Sequence, residues 1–230
     1  MKVRDQIKVK KTAVAGKIKA VIFDMDGTLI NSTEADYLAW EKIFNEFGES
    51  LPYDKYVNYL GIKSSELLKT KFHLRGEELR LALLRKLDYF KLIVEENGIE
   101  TIPFATDLIH LLEQKGFRIA LATSARKSKM EWVLKYLELS DRFEVIVSGD
   151  DVQAGKPDPA IFLMAAKLLE VDPEECLVFE DSVSGIKAAN IAGMKTVAIT
   201  TTQTAERLQE ADMIIDSFDE FDTNFFNSEN

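Results

Sequence analysis

Residues 20–29 read AVIFDMDGTL, and the reading of this stretch decides the fold. Residues 20–23 form a continuous apolar run, too short for a helix, of the kind expected of a strand covered on both faces. The run ends in Asp24 and Asp26, one residue apart, followed by Gly27 and Thr28. Like charges closing a buried strand repel one another, so something must hold them there. Similar short apolar runs recur at 119–122, 145–147, 177–179, 197–199 and 213–215. Helical patterns lie between the later runs. Asp158 and Pro159 stand at N-cap and first-turn positions ahead of AIFLMAAKLLEV. Ser182 is placed to cap VSGIKAANIA, and Gly193 to end it in a left-handed turn. Pro103 precedes FATDLIHLLEQ, which Gly116 would stop. Strand and helix alternating in this way predict an α/β fold, a Rossmann-like, mostly parallel sheet with helices on both faces.

The alternation breaks after the first run. From about residue 33 to 98 there is helical periodicity and no convincing strand. Ala35, Ala39, Ile43 and Phe47 step by four, with Trp40 and Phe44 widening the face. A second long helix is expected over roughly 77–96, with Leu79, Leu83, Leu87, Phe90 and Val94 on one side. The expected organisation is a basic lead at 1–17, an α/β catalytic core at 18–32 and 99–230, and a small all-helical cap at 33–98.

The chain has 230 residues, 46% of them hydrophobic and 30% charged, with a net charge of −10. That composition suits a globular enzyme, and the acidic balance is a poor match for nucleic acid or an anionic membrane. Cys176 is the sole cysteine, so no internal disulfide forms, which fits a reducing, cytoplasmic setting. It opens the run Cys-Leu-Val-Phe and reads as a core residue. No segment is long and apolar enough to span a bilayer. The lead carries Lys2, Arg4, Lys8, Lys10, Lys11 and Lys17 against Asp5 and has no apolar middle, unlike a secretory signal. A monomer or weak dimer is expected.

Ligands of open α/β sheets bind beyond the carboxyl ends of the strands. Those ends offer Asp24, Asp26, Gly27 and Thr28; Thr123 and Ser124; Ser148, Asp150 and Asp151, then Lys156; and Glu180, Asp181 and Ser182. Several carboxylates on one rim need a cation among them, and an all-oxygen donor set points to Mg²⁺. Asp24, the backbone carbonyl of Asp26 and Asp181 are candidate ligands. Glu180 is a further ligand or a partner behind them. Thr123, the N–H of Ser124 and the amides of the turn through Gly27 can donate to a phosphoryl group, and Lys156 adds positive charge. Asp24 can attack phosphorus to give an aspartyl-phosphate, and Asp26 can protonate the leaving oxygen and then activate water. Gly27 lets the chain turn so that both carboxyl groups face one space.

The segments DMDGT (24–28), ATSA (122–125), GKPDP (155–159) and FEDSVSGI (179–186) resemble, in order, the four motifs of the haloacid-dehalogenase-like superfamily. The resemblance runs from about Lys17 to Phe218. It is nearest the subgroup of β-phosphoglucomutase and the sugar-phosphate phosphatases. It implies Asp24 as nucleophile, Asp26 as acid/base, Thr123 and Lys156 on phosphate, and Asp181 on Mg²⁺. The helical insertion resembles the family's small cap. Dehalogenases of the superfamily lack the second aspartate, so Asp26 argues against carbon–halogen cleavage. β-Phosphoglucomutases carry a histidine in the first cap helix and an arginine in a later cap loop. Asp36 stands where that histidine would fall, although Trp40 agrees, and the loop LGIKSSELL offers Lys63 and no arginine. These departures favour an Mg²⁺-dependent phosphatase acting on a small phosphorylated metabolite, a sugar or polyol phosphate, over a phosphosugar mutase. The non-enzymatic alternative, a phospho-aspartate receiver switch, is about half this length, lacks a helical insert and places its aspartate mid-chain. Trp40 is expected to pack the cap rather than stack on substrate, and His73 and His110 to be structural or exposed.

Overall fold

Each apolar run forms a strand in the computed structural model, which describes residues 18–223. The basic lead at 1–17 lies outside the described residues. The strands are β1 (Ala20–Phe23), β2 (Arg118–Ala122), β3 (Val145–Val147), β4 (Cys176–Glu180), β5 (Lys195–Ile199) and β6 (Met213–Ile215). They make one parallel sheet in the order β3-β2-β1-β4-β5-β6. β2, β4 and β5 run past the apolar residues to include Arg118, Glu180 and Lys195. Ladder bonds are made by the backbone and so extend beyond the residues chosen for burial.

The sheet is covered on both faces, and its side chains obey the period of two. Val21 and Phe23 join Leu177 and Phe179 in one core layer, and Ala20 and Ile22 join Cys176 and Val178 in the other. Phe23 and Phe179 stack with centroids 5.0 Å apart. Helices α5 (Ala105–Gln114) and α6 (Lys127–Tyr136) seal the first layer, α7 (Ala160–Leu168) and α8 (Val183–Ile191) the second. α8 begins as its sequence predicts: the Ser182 hydroxyl accepts the Gly185 N–H at 3.1 Å. Gly193 and Gly116 take positive φ after α8 and α5. α7 starts one residue later than expected. Pro159 is its N-cap, and the Asp158 carboxylate accepts the Ala160 N–H at 2.9 Å from just outside the helix.

Between β1 and α5 lie α1 (Thr33–Glu46), α2 (Tyr53–Tyr56), α3 (Ser64–Lys71) and α4 (Gly76–Asn97). Trp40, Ile43 and Phe44 gather Leu51, Tyr56, Leu67, Leu68, Leu74 and Ala82 into a separate small core. The roots of the two long helices, through Ala35, Ala39, Phe90, Ile93 and Val94, join the core of the sheet instead. The predicted faces need two corrections. Phe47 is 37% exposed, because α1 has already ended there. On α4 the buried stripe is Ala82, Lys86, Phe90, Ile93 and Val94, while Leu79, Leu83 and Leu87 are half-buried. No helix of the described residues is long and apolar enough to cross a membrane.

Candidate active site

β1 and β4 are neighbours at the centre of the sheet, where the chain order reverses direction. A crevice opens beyond the strands at such a switch point. Asp24 leaves β1 into it and Glu180–Asp181 leave β4. Asp24, Glu180, Asp181 and Lys156 are all buried there. The Lys156 ammonium lies 2.5 Å from Asp24 Oδ1 and 2.5 Å from Glu180 Oε1. Burial opposes its charge, but the Asp24 and Glu180 carboxylates outweigh burial and raise its pKa above the ordinary lysine value. The other oxygen of Glu180 accepts the Asp181 N–H (2.9 Å), the Ser182 N–H (2.7 Å) and the Ser182 hydroxyl (2.8 Å). α8 approaches this carboxylate so closely that a Cβ on Gly185 would lie 1.9 Å from Glu180 Oε1. Asp181 accepts from the Thr28 hydroxyl at 2.8 Å and from the Thr202 hydroxyl. Burial first, then the Glu180 charge, push Asp181 up to about 7. Asp24 is pushed up as well, by burial and the charges of Glu180 and Asp181 acting against Lys156.

The turn 25–30 is tied by Gly27 N–H to the Ile30 carbonyl at 2.9 Å, with Gly27 at φ +83°. Gly27 is therefore needed for shape, since a Cβ there would meet Asp181 Oδ2 at 2.3 Å. Its own amide is spent inside the turn and is not free for phosphate, contrary to the sequence expectation. The Thr123 hydroxyl accepts the Ala125 N–H at 3.0 Å, and the Ser124 side chain reaches the cap, donating to the Gly61 carbonyl at 2.7 Å. Asp150 and Asp151 stay outside the site. Asp150 pairs with Arg126 at 3.3 Å, and Asp151 accepts from the Ser148 hydroxyl at 2.6 Å.

Above these residues a pocket runs between core and cap. It is lined by Asp24, Asp26, Thr123 and Ser124 from the core and by Asp36, Trp40, Lys86 and Leu87 from the cap. Core and cap are also bonded at its rim. Lys63 donates to the Val152 carbonyl at 2.7 Å, and Glu66 accepts the Gly155 N–H at 2.8 Å. Lys63 is thus occupied at the seam. Trp40 is buried, with Lys86 over its ring at 4.8 Å and Phe44 edge-on, as expected of a packing residue. His73 and His110 are exposed and away from the pocket. Cys176 is fully buried, and burial pushes its thiol up to about 12, far from nucleophilic use.

Two lysines missed by the sequence reading stand in this pocket. Lys129, on α6, donates to Asp26 Oδ1 at 2.7 Å and to Asp36 Oδ1 at 3.0 Å. Lys86, on α4, donates to the same Asp36 oxygen at 2.5 Å, and the Tyr56 hydroxyl donates to Asp36 Oδ2 at 3.2 Å. The Ser32 hydroxyl also donates to Asp26 Oδ1. Burial would raise Asp36, but the Lys129 and Lys86 charges hold it well below the usual carboxylate range. Each lysine occupies an apolar stripe, Lys86 between Ala82 and Phe90 and Lys129 four residues before Val133. A charge in that position was the signal available.

Residues 21–199 match the family model described as haloacid dehalogenase-like hydrolase. The chain belongs to the haloacid dehalogenase-like hydrolase family, and within it is a phosphatase-type hydrolase. It is 33% identical over 199 residues to the validoxylamine A 7'-phosphate phosphatase of Streptomyces hygroscopicus subsp. limoneus, spanning 86% of this chain and 92% of that one. It is 32% identical over 187 residues to the phosphorylated carbohydrates phosphatase of Thermotoga maritima (78% and 84%). It is 36% identical over 202 residues to the chloroplastic protein SUPPRESSOR OF QUENCHING 1 of Arabidopsis thaliana, covering 85% of this chain and only 19% of that longer one. Among solved structures, a β-phosphoglucomutase from Clostridium difficile superposes with a TM-score of 0.81 at 29% identity, over 91% of this chain and 96% of the other.

Proposed function

We propose that the protein is an Mg²⁺-dependent phosphatase of a small phosphorylated sugar or polyol, working through an aspartyl-phosphate on Asp24. The observation that carries this reading is the Lys156 ammonium bridging buried Asp24 and Glu180, with Asp24 and neighbouring Asp181 lining the pocket. Three buried carboxylates against one lysine leave an excess of negative charge that a divalent cation balances. Among the described residues no three Asp, Glu, His or Cys side chains by themselves form a metal cage. That fits Mg²⁺, which takes one or two carboxylates and completes its shell with water, carbonyl and phosphate oxygens. Asp24, Asp181 and the carbonyl of Asp26 would hold it. Glu180, whose Oε1 takes the Lys156 ammonium and whose Oε2 takes the Asp181 and Ser182 N–H groups and the Ser182 hydroxyl, would instead orient Lys156 and the start of α8. Bound there, the cation would draw the carboxylates back to their ionised forms and neutralise phosphoryl oxygens.

The chain's own residues then divide the work. An Asp24 oxygen attacks phosphorus in line while Lys156, Thr123 and the Ser124 N–H bind the equatorial oxygens. Asp26 gives its proton to the departing alcohol oxygen and later takes one from the water that releases phosphate. The cap side of the pocket combines apolar Leu83, Leu87 and Trp40 with the polar Asp36–Lys86 pair. This mixture suits a carbohydrate, which has both hydroxyls and an apolar face, and the Thermotoga relative's name agrees. Phosphate release from p-nitrophenyl phosphate with Mg²⁺ should be catalytic in the wild type. Asp24→Asn should reduce it to background, and a variant keeping most of its turnover overturns the assignment.

A mutase is the second reading, favoured by the superposition on a β-phosphoglucomutase. Asp36, committed to two lysines where the mutases carry histidine, speaks against it. Isomerisation of β-glucose 1-phosphate, assayed beside phosphate release from a panel of sugar phosphates, separates the two.

A further inference from the structure

We propose that Lys129 is a positioning residue that fixes the acid/base carboxylate of Asp26 and ties it to the cap through Asp36. This inference rests on the phosphatase reading above. One buried ammonium, 9% exposed, touches both carboxylates at 2.7 and 3.0 Å, and also lies 4.3 Å from the centre of the Phe90 ring on α4. Asp26 belongs to the core turn, while Asp36 belongs to α1 of the cap. Asp36 is gripped in turn by Tyr56 from α2 and Lys86 from α4. Three elements of the cap thus converge on Asp36, and Lys129 carries that arrangement across the seam to Asp26. A second strand of the same link runs through Ser32, whose carbonyl accepts the Asp36 N–H at 2.8 Å and whose hydroxyl donates to Asp26.

Both donors to Asp26 use Oδ1. Oδ2 has no donor among the described residues and is left for the leaving-group oxygen. A carboxyl with one oxygen pinned has little rotational freedom, so the free oxygen is aimed before substrate arrives. Lys129 acts through Asp26 and need not touch the substrate.

A general acid matters in proportion to the basicity of the leaving group. The test is therefore kcat/KM over a graded series of aryl phosphates, from p-nitrophenyl through phenyl to p-methoxyphenyl phosphate, with saturating Mg²⁺. In Lys129→Met the plot against leaving-group basicity should steepen, with p-methoxyphenyl phosphate losing about ten-fold more than p-nitrophenyl phosphate. Lys129→Arg should restore most of the wild-type slope. Asp36→Asn, which keeps the ammonium but removes the charge of its cap partner, should steepen the plot less. If Lys129→Met does not fold, as judged by circular dichroism, the Arg and Asn variants carry the comparison. A folded Lys129→Met or Asp36→Asn that lowers all three substrates by one common factor, or lowers none, overturns the proposal and leaves Lys129 a structural cation. The phosphatase reading is judged separately, by the response of p-nitrophenyl phosphate turnover to Asp24→Asn.

Discussion

At the scale of single residues, the site depends on close approaches that leave no spare volume. Lys156 is wholly buried between two carboxylates. Truncating it to Met removes the cation and leaves Asp24 and Glu180 facing each other, at a cost of about 3–5 kcal/mol for an uncompensated buried charge. Urea unfolding should register that loss, together with a fall in kcat/KM for p-nitrophenyl phosphate of at least about 100-fold. An unchanged midpoint would mean that the lysine is not held as described. Gly185 offers a second test, of the packing around Glu180. A methyl there would overlap Glu180 Oε1, so Gly185→Ala should lose about 2–3 kcal/mol by overpacking. The residues of the four motifs were legible in the sequence because their types and spacing carry the chemistry. Lys86 and Lys129 were not. A lysine on an amphipathic helix is read by default as solvated, and only its register against Ala82, Phe90 and Val133 betrays it. Gly27 was assigned correctly to the turn, but its amide was credited to a ligand when the Ile30 carbonyl takes it.

At the scale of elements, α1, α4 and α6 meet at Asp36, and the charge arrangement there has a pH signature. Lys129 and Lys86 hold the Asp36 carboxyl well below its ordinary value. A carboxyl lowered on folding contributes stability above its unfolded pKa, near 4, and that contribution is lost as pH falls through the lowered folded value. Asp36→Asn should therefore melt below the wild type at pH 6–7, by a margin worth about 2–3 kcal/mol. The margin should shrink below about pH 4. A gap that stays constant, or widens, on acidification would contradict the ion-pair account. Helix faces were only partly legible at this scale. The sequence placed α4 within a residue of its ends, yet its apolar residues cover more than the buried stripe. Leu83 and Leu87 are as apolar as Phe90, but they line the pocket and stay half-buried, and periodicity does not separate a pocket wall from a packed core.

At the scale of the whole molecule, catalysis as proposed depends on sheet order. β1 and β4 must be adjacent for Asp24 to meet Asp181 and Lys156, although these residues are more than a hundred positions apart in the chain. Apolar runs located the six strands, since burial on both faces leaves a mark in each strand. They held no information about which strand pairs with which, because a fully buried strand looks alike to every neighbour. The strand order β3-β2-β1-β4-β5-β6 was therefore not legible in the sequence. The helical insertion was legible as a break in alternation, and its closure over the site through Lys63, Glu66 and Ser124 was not, because each of those bonds ends on a backbone atom or spans the seam.

The central claim is that Asp24 becomes esterified to phosphorus. The most direct measurement uses Asp26→Asn, in which hydrolysis of the intermediate is slowed, mixed with p-nitrophenyl phosphate and Mg²⁺, quenched in acid and digested with trypsin. Mass spectrometry should find one phosphoryl group on the peptide of residues 20–42, localised to Asp24 and lost in the Asp24→Asn, Asp26→Asn double variant. A phosphoryl group on another residue, or none in a preparation whose wild type turns over, would contradict the account.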